Sequence, residues 1–461
     1  MNLTLEQLLD RQYLAQRLAG RGLKKATVSD KAALFARAAQ HLLDAGAAAA
    51  ERALAFFVPG RIEVLGKHTD YAGGRSIVCA TEQGFCWLAL PLSQPVLRVS
   101  AVELGEEVEF AFAPQLQPRH GHWSNYPMTV ARRLARNFAK PLQGAHMAFA
   151  SDLPPAAGMS SSSAMMIATY LPLASINGLE QNAVFSEHIK DKLSLAAYLG
   201  TIENGQSFGQ LSGDKGVGTF GGSEDHTAIL CSKADFLGQF AYCPARFERR
   251  IALPQDYCFA VAFSGVAAEK TGAAQAQYNR AAALLGAVVA AWQQATGEAH
   301  VYLADILASA PQARHRLRQI LGQSSGGEFS GEELEVRLQH FIAENEEIVG
   351  VAGDTLATGD LSAFGKWVDR SQELTHTLLD NQVPPTIALA HLARRCGAVA
   401  ASAFGAGFGG SVWAVVKNAE ATPFIEAWSG AYADAFPPAS AAARFFLTGA
   451  GPAAFDVGEE L

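Results

Sequence analysis

The pattern of hydrophobic and polar positions changes along the chain from helical to extended spacing. In residues 1–57, large apolar residues recur at the spacing of helix faces, which predicts helices. Residues 62–65 have the pattern of a short buried strand, and 77–92 and 96–112 alternate and turn like strands of a sheet. The first part of the chain is therefore predicted to place helices before a sheet.

Further along, long runs with helical periodicity predict helices, and short apolar runs predict buried strands. The predicted helices are 130–138, 165–174, 192–203, 273–292, 333–358, 361–379 and 394–401, and the predicted strands are 227–231, 257–266 and 411–416. A chain of 461 residues exceeds one ordinary hydrophobic core, so we expect two domains. We place the boundary near 235–255, which gives domains 1–245 and 246–461.

Composition narrows the class of protein. Hydrophobic residues make up 49% and charged residues 17% of the chain, which fits a globular protein, and the formal net charge is −8. An acidic balance argues against nucleic acid, which binds basic faces. No apolar stretch approaches the length of a membrane span, and we find no secretory signal. The six cysteines show no metal-ligand spacing and are typical of buried thiols in a reducing compartment. Together, these features lead us to expect a soluble cytoplasmic protein with no membrane partner.

A dense group of polar residues follows the first predicted strand. The stretch 59–74, PGRIEVLGKHTDYAGG, holds Arg61, Lys67, His68 and Asp70 within a sparsely charged segment. Its glycines permit turns or close approach of the backbone. Rigid scaffolds present functional side chains on loops of this kind, although a solvated hairpin loop can have the same composition.

A second stretch, LPPAAGMSSSSA at 153–164, combines two prolines, a glycine and four serines before an apolar helix. Because proline does not fit inside a helix, we predict a loop that opens onto a helix N-terminus. Free N–H groups and the positive end of the helix dipole make such a position an anion site. An ordinary serine N-cap is the alternative, but it needs only one serine. The pattern differs from the Walker motif GxxxxGK[ST].

Three other features carry candidate chemistry. Residues 205–222 are glycine-rich, and Asp225 follows them as either a catalytic carboxylate or a turn aspartate. The loop 405–410, GAGFGG, precedes a predicted strand, as hairpin loops also do. Trp123 and Tyr126 lie just before a helix, where they serve either as core anchors or as a platform for a nucleotide base.

Taken in order, 59–74, 153–164 and 405–410 resemble the three motifs of the GHMP small-molecule kinase superfamily. The first resembles the galactokinase signature in particular, and the similarity extends over about residues 56–450. The resemblance implies an α+β fold of two domains, one like domain 2 of ribosomal protein S5 and one ferredoxin-like, with the active site in the cleft between them. It also implies ATP and Mg²⁺ as cofactors and a small sugar as substrate.

The resemblance also implies a role for individual residues. Arg61 and Asp225 are similar to the catalytic pair, in which the carboxylate accepts or orients the proton of the sugar hydroxyl and the guanidinium stabilises charge. Ser162 and Glu203 resemble the Mg²⁺ ligands. The implied nucleotide-binding residues are Trp123, Tyr126, Gly158, Met159, Ser160, Ser161, Ser162 and Ser163, and the implied sugar-binding residues are Lys67, His68, Asp70, Gly222 and Tyr278.

Lys67 departs from the family, which carries glutamate at this position as an acceptor for a sugar hydroxyl. Lysine donates three hydrogen bonds and accepts none, so the exchange inverts the local preference. One hypothesis is that Lys67 binds a carboxylate, in which case the substrate is a uronic acid such as galacturonate. The alternative is that Lys67 pairs with Glu63, Glu224 or a phosphate while galactose remains the substrate.

A second departure concerns the position of the base. An insertion centred on 212–215 separates Glu203 from Asp225, so Asp214 is another candidate for the catalytic carboxylate. We favour Asp225 because Gly222 precedes it closely and a predicted strand follows it.

The sequence thus predicts an ATP-dependent sugar 1-kinase that acts on the anomeric hydroxyl of galactose or a close relative. A kinase for a uronic acid or an amino sugar is an alternative within the same class. A third hypothesis is a catalytically silent sensor that binds ATP and sugar, against which the presence of Arg61, Ser162, Glu203 and Asp225 argues. We expect a monomer with no nucleic-acid partner.

Overall fold

The computed structural model describes residues 2–119, 121–138, 141–268, 272–323 and 327–460. The strands within them are β1 (Leu3–Thr4), β2 (Arg52–Leu65), β3 (Arg75–Leu92), β4 (Val96–Ala101), β5 (Glu106–Ala111), β6 (Gly144–Ser151), β7 (Phe236–Ala241), β8 (Arg246–Ala252), β9 (Tyr257–Phe263), β10 (Ala400–Phe404), β11 (Ser411–Lys417), β12 (Arg444–Thr448) and β13 (Phe455–Asp456).

The α-helices in the same ranges are α1 (Leu5–Leu9), α2 (Arg11–Leu18), α3 (Lys25–Asp44), α4 (Asn125–Asn137), α5 (Ser161–Asn177), α6 (Ala183–His188), α7 (Lys192–Asn204), α8 (Glu224–Cys231), α9 (Gly272–Thr296), α10 (Leu303–Ser309), α11 (Ala313–Gln323), α12 (Gly331–Ile342), α13 (Val349–Ala357), α14 (Leu361–Leu374), α15 (Pro384–Arg395), α16 (Ala421–Ala435) and α17 (Pro437–Ser440). Turns of π-helix continue α12 over Ala343–Ile348 and α14 over Thr375–Leu379.

The larger sheet is built around the long strands β2 and β3. Its strands lie in the order β1-β2-β3-β6-β4-β5, with β13 also paired to β2, and β7 paired to β3 and β8. Among the described strands, only the pairing of β4 with β6 in this sheet is parallel. Because β3 is 18 residues long, its first residues pair with β7 and its last residues pair with β6.

Strand β2 carries the first polar stretch at its end, and its pairing with β3 is irregular there. The register shifts between Pro59 and Arg61 and again between Glu63 and Leu65. Such bulges bend a strand and re-aim its side chains. Gly66, with φ of 101°, turns the chain away, and a Cβ at this position would lie 2.4 Å from the carbonyl oxygen of Arg75. Only glycine fits this turn without displacing its neighbours.

The two faces of the larger sheet pack against different helices. Helices α1, α2 and α3 cover one face, where Phe35 belongs to the same core as Phe57 and Leu88. The opposite face, which includes Val58 and Trp87, shares a core with the buried residues of α4, α5, α7 and α8. The alternation of side chains along β2 and β3 serves both cores, since successive residues of a strand point to opposite faces.

The smaller sheet has the order β10-β11-β9-β12, and its strands are antiparallel. Helices α15 and α16 cover one face, with Trp428 packed among alanines and valines of the sheet. Helices α9, α10, α11 and α12 form a separate helical core around Trp292, Leu317 and Leu338.

The two sheets meet where the conspicuous loops lie. The indole N–H of Trp413 on β11 donates to the carbonyl oxygen of Glu63 on β2 (3.1 Å). The backbone N–H of Gly405 donates to the Glu63 carboxylate (2.8 Å). The backbone N–H of Arg61 donates to the carbonyl oxygen of Met159 (3.2 Å). These contacts bring 59–74, 153–164 and 405–410 together.

Three secondary-structure predictions are wrong. Residues 227–231 form the last part of helix α8, because an apolar run this short does not distinguish a strand from a helix. The predicted helix at 394–401 covers only the end of α15, and β10 begins at Ala400. The helical N-terminal region ends at Asp44, and β2 begins at Arg52. Within the described residues, no helix has the length and apolar character needed to cross a bilayer.

Candidate active site

Two neighbouring cavities open where the sheets meet, and Arg61 lines both of them. The sugar-side cavity, named for the sequence prediction, is lined by acidic and aromatic residues that include Glu63, Asp70 and Tyr278. The nucleotide-side cavity has a volume of about 590 Å³ and is lined by the serine loop and by aromatic residues. The arrangement provides two compartments that share a boundary at one guanidinium group.

The guanidinium group of Arg61 is held in place by two partners, Asp225 and Gly158. Its Nε donates to Asp225 Oδ1 at 2.7 Å, its Nη2 lies 2.7 Å from the same oxygen, and its Nη1 donates to the carbonyl oxygen of Gly158 at 2.7 Å. Burial disfavours its charge, but the attraction of Asp225, Glu63 and Glu224 outweighs burial and raises the pKa of Arg61. The guanidinium group therefore stays charged between the two cavities.

The structure distinguishes the two aspartates that the sequence left as candidates. Asp225 lies in the first turn of α8 and lines the sugar-side cavity. Asp214 instead accepts a hydrogen bond from Arg132 Nε at 2.7 Å, and its other oxygen accepts from the N–H of Gly216. Both side chains of the Asp214–Arg132 pair are buried. Asp214 thus anchors the insertion, and Asp225 is the carboxylate beside Arg61.

The serine loop and helix α5 form one wall of the nucleotide-side cavity. Gly158, Ser160, Ser161 and Ser162 line it, and Ser160 takes a left-handed backbone conformation (φ 57°) as the N-cap of the 17-residue helix α5. The N-terminus of a helix presents free N–H groups and a positive dipole. This wall can therefore receive an anion such as a phosphate.

Two predicted nucleotide-binding side chains point elsewhere. The Met159 side chain is buried in the hydrophobic core. Ser163 Oγ donates to Glu203 Oε2 (2.7 Å) and lies within hydrogen-bond distance of Asp225 Oδ2 (3.3 Å). Ser163 thus connects the predicted metal ligand Glu203 to the predicted base instead of lining the nucleotide-side cavity.

Aromatic residues form another wall of the nucleotide-side cavity. Trp123 and Tyr126 both line it, and Trp123 packs edge-on against Phe149 with ring centroids 5.7 Å apart. The indole N–H of Trp123 donates to Glu106 at 2.6 Å. Trp123 can therefore serve both as a core anchor and as a platform for a nucleotide base, because it packs against the core and also presents surface to the cavity.

Four of the predicted sugar-binding residues line the sugar-side cavity: His68, Asp70, Gly222 and Tyr278. The rings of His68 and Tyr278 lie 5.3 Å apart. Asp70 Oδ2 accepts a hydrogen bond from the backbone N–H of Glu224 at 3.1 Å, and burial raises the pKa of Asp70 to about 6. A Cβ at Gly222 would lie 2.4 Å from the same Asp70 oxygen.

Lys67, the fifth predicted sugar-binding residue, lies outside this cavity. Its ammonium group donates to Ser402 Oγ (2.7 Å) and Ser371 Oγ (3.0 Å) in the second domain. Burial lowers the pKa of Lys67, and the nearby carboxylate of Glu344 opposes that shift. The hypothesis that Lys67 faces a substrate carboxylate is therefore corrected: the side chain joins a buried network between the domains.

The sequence prediction missed three charged residues of the site. Glu63 and Glu224 line the sugar-side cavity. Arg337 on α12 is buried, and its Nη2 donates to the carbonyl oxygen of His68 (2.5 Å) and to the hydroxyl of Tyr71 (3.0 Å). A signal for Glu63 was available, since a glutamate two residues from Arg61 in a buried strand is unusual. No local pattern marks Arg337.

The loop 405–410 closes the far side of the site. Gly405 and Ala406 line the sugar-side cavity, and Ala406 also lines the nucleotide-side cavity. Gly407 packs against Asn381, whose carbonyl oxygen would lie 2.3 Å from a Cβ at that position. This glycine therefore allows close approach of two backbones, and its neighbours contact the cavities.

Comparison with known families matches three regions of the chain. The GHMP kinases N-terminal domain matches residues 125–211, and the GHMP kinases C-terminal domain matches 354–434. The galactokinase galactose-binding signature matches 46–89. With the two-domain α+β fold and the paired cavities, these matches define a GHMP kinase, a phosphotransferase that uses ATP.

Two curated relatives extend the similarity over most of the chain. A galactokinase from Roseiflexus sp. (strain RS-1) is 27% identical over 378 residues, which cover 82% of this chain and 87% of the relative. A galactokinase from Exiguobacterium sibiricum is also 27% identical, covering 82% of this chain and 88% of the relative. Within the GHMP kinases, the chain is thus similar to galactokinases over about four-fifths of its length.

A solved structure shares the fold. The galactokinase of Lactococcus lactis, crystallised with galactose, superposes with a TM-score of 0.70 at 20% sequence identity, covering 87% of this chain and 95% of that chain. The predicted two-domain GHMP kinase fold is confirmed.

Proposed function

We propose that this sugar kinase transfers the γ-phosphoryl group of ATP to the anomeric hydroxyl of galactose or a close relative. The observation that carries the proposal is the contact of Arg61 with Asp225 at the boundary of two cavities. Phosphoryl transfer requires two substrates held in line and charge stabilised between them, more than a covalent nucleophile. A guanidinium group between a sugar compartment and a phosphate compartment meets that requirement.

The nucleotide-side cavity suits ATP. Trp123 and Tyr126 offer an apolar surface for the base, and the N-terminus of α5 with Ser160, Ser161 and Ser162 offers N–H and hydroxyl donors for the phosphates. Gly158 carries the carbonyl oxygen that Arg61 contacts, so the loop that receives the phosphates also fixes the guanidinium group.

The sugar-side cavity suits a polyhydroxylated ligand. Carboxylate oxygens of Asp70 accept hydrogen bonds from hydroxyl groups, while His68 and Tyr278 offer ring surface and polar atoms. We propose that Asp225 orients or accepts the proton of the attacking hydroxyl and that Arg61 stabilises the charge that develops on the transferred group.

We further propose Mg²⁺ as the metal that accompanies ATP. Ser162 lines the nucleotide-side cavity, and Glu203 lines the sugar-side cavity, where Ser163 links it to Asp225. Hydroxyl and carboxylate oxygens are donors that suit this hard cation, which usually takes one or two carboxylates and completes its coordination with phosphate and water oxygens. When bound, the ion would neutralise phosphate charge.

The geometry does not favour a uronic acid as substrate. That hypothesis required Lys67 to face the sugar, and its ammonium group is bound to Ser371 and Ser402 instead. The silent-sensor hypothesis is disfavoured because Arg61 and Asp225 are in contact and aligned between the cavities.

We also propose that the protein works as a monomer in the cytoplasm, where ATP is supplied. All six cysteines are free thiols, which accords with a reducing compartment. Light scattering after size-exclusion chromatography tests the oligomeric state, and a dimer mass would contradict this part of the proposal.

Release of ADP from ATP and Mg²⁺ with a panel of hexoses tests the main proposal. We expect turnover with galactose or a galactose derivative, and a ³¹P spectrum of the product that shows phosphate on the anomeric oxygen. Saturable sugar binding without ADP release from any sugar would favour the sensor and contradict the proposal.

A further inference from the structure

The sugar-side cavity has a strongly acidic wall. Five carboxylate side chains line it: Glu63, Asp70, Glu203, Glu224 and Asp225. Among the described lining residues, Arg61 is the one side chain with a permanent positive charge, and it is engaged by Asp225. Glu203 is assigned to Mg²⁺ by the proposed function. Three carboxylates therefore remain to face the sugar.

Of these three carboxylates, that of Glu224 has the fewest hydrogen-bond donors among the described residues. Its side chain is 6% exposed and lines the cavity, yet no described residue donates a hydrogen bond to its carboxylate group. Its backbone N–H donates to Asp70 Oδ2. Burial raises the pKa of Glu224 well above its usual value, and the negative charges of Glu63 and Asp70 raise it further. Because this carboxylate faces the cavity without a donor from the described residues, a ligand bound there can supply one.

Glu63 lies on the same wall. It is 3% exposed, and one carboxylate oxygen accepts a hydrogen bond from the backbone N–H of Gly405. Burial raises its pKa to about 7, against the attraction of Arg61 and Lys67. The buried ammonium group of Lys67 attracts Glu63, but it donates to Ser371 and Ser402 and does not line the cavity. No described lysine thus compensates this wall from within the cavity.

We propose that the preferred substrate is an amino sugar, whose ammonium group binds between Glu63 and Glu224. The inference rests on the proposed sugar-kinase function and specifies its substrate class. An ammonium group supplies donors to several acceptors at once, and hydrogen bonds between charged groups are the strong ones. A uronate carboxylate would be repelled by the same wall. When a neutral hexose is bound, the carboxylates of this wall either stay charged close to one another or have to bind protons.

The experiment compares kcat/KM for amino sugars with kcat/KM for their neutral parents. Hexoses with an amino group at carbon 2, 3, 4 or 6 are each paired with the parent hexose and with the N-acetylated derivative, which has no charge. We expect at least one amino sugar to exceed its parent by tenfold or more, and acetylation to abolish the advantage. Galacturonate serves as the sugar of opposite charge and should be the poorest substrate.

Variants connect the preference to the wall. Glu224→Gln and Glu63→Gln should each reduce the ratio of amino-sugar to neutral-sugar kcat/KM by at least tenfold. The exposed Glu180→Gln is the matched control and should leave the ratio unchanged. Thermal unfolding of each variant verifies that the protein is folded, and the ratio is insensitive to the fraction of active enzyme.

The outcomes separate the two proposals. Turnover of neutral hexoses with kcat/KM equal to or above that of every amino sugar would overturn this inference and leave the proposed function standing. A ratio that survives both glutamine substitutions would also overturn it. An absence of turnover with any sugar in the presence of ATP and Mg²⁺ would instead contradict the proposed function.

Discussion

Arg61 Nε lies 2.7 Å from Asp225 Oδ1, although the two residues are 164 positions apart in the chain. Arg61 belongs to β2 and Asp225 to the first turn of α8, and Gly158 of the serine loop accepts a second hydrogen bond from the same guanidinium group. Strand, helix and loop thus fix one charged group at the boundary of the two cavities.

Asp225→Asn should lower kcat by about 10²–10⁴-fold, the range typical for loss of a positioned general base. The substitution keeps the shape of the side chain, and the carboxylates of Glu63 and Glu224 still attract the buried Arg61, so the fold should be retained at some cost in stability. Steady-state kinetics together with circular dichroism measure both effects.

Asp214→Asn is the matched comparison and should reduce stability instead of turnover. Loss of its charge leaves Arg132 buried without a carboxylate partner, which should lower the free energy of unfolding by roughly 3 kcal/mol while kcat of the folded protein is retained. If Asp214→Asn abolished turnover and Asp225→Asn did not, the assignment of the base would be wrong.

Lys67→Met should destabilise the protein on the order of 3 kcal/mol, because the buried Glu344 carboxylate would lose the attraction of the Lys67 ammonium group. One oxygen of Glu344 already lacks a hydrogen-bond partner among the described residues. The ratio of galacturonate to galactose turnover should not change, since Lys67 does not line the sugar-side cavity. Chemical denaturation and substrate competition test the two parts, and a changed ratio would restore the uronate hypothesis.

Gly222→Ala should raise KM for the sugar with little effect on KM for ATP. A Cβ at this position would lie 2.4 Å from Asp70 Oδ2 and 3.0 Å from the N–H nitrogen of Tyr71, so Asp70 must shift. Gly286→Ala in α9 is the control, because its Cβ would meet no atom within 4 Å. That variant should keep both KM values and gain roughly 0.5–1 kcal/mol of stability from helix propensity. Equal KM values for wild type and Gly222→Ala would contradict the placement of the sugar.

The ligand-free protein should lose stability as the pH rises from about 4.5 to about 7. Burial raises the pKa of Glu63 from 4.5 to about 7, so the folded state binds more protons than the unfolded state within this window. The free energy of unfolding therefore falls with rising pH. At about 1.4 kcal/mol per pKa unit, this group contributes a decrease on the order of 3 kcal/mol. Glu63→Gln should flatten the profile, as measured by urea unfolding across the pH range. An identical slope in the variant would show that Glu63 ionises normally.

Secondary structure was predictable where the periodicity is long. The helix predicted at 273–292 is α9, and the strand predicted at 411–416 is β11, because many residues repeat the same pattern. The run at 227–231 was too short for that, and acidic residues at the start of α8, which favour a helix N-terminus, were the better signal. Glu224 and Asp225 occupy that first turn.

The sequence by itself determined which chemistry is available: a serine loop before a helix, a polar stretch after a strand, and a glycine loop before another strand. The order of these three stretches also carried the resemblance to the GHMP kinases. These features are local, since backbone freedom, helix ends and residue types act over a few positions.

Tertiary structure alone decided which charges face each other. It placed Asp225 beside Arg61 and Asp214 beside Arg132, and it directed Lys67 toward Ser371 and Ser402. The direction of a long side chain depends on partners far away in the chain, and the cost of burying a charge depends on which of those partners is within reach. Neither quantity is encoded in local spacing.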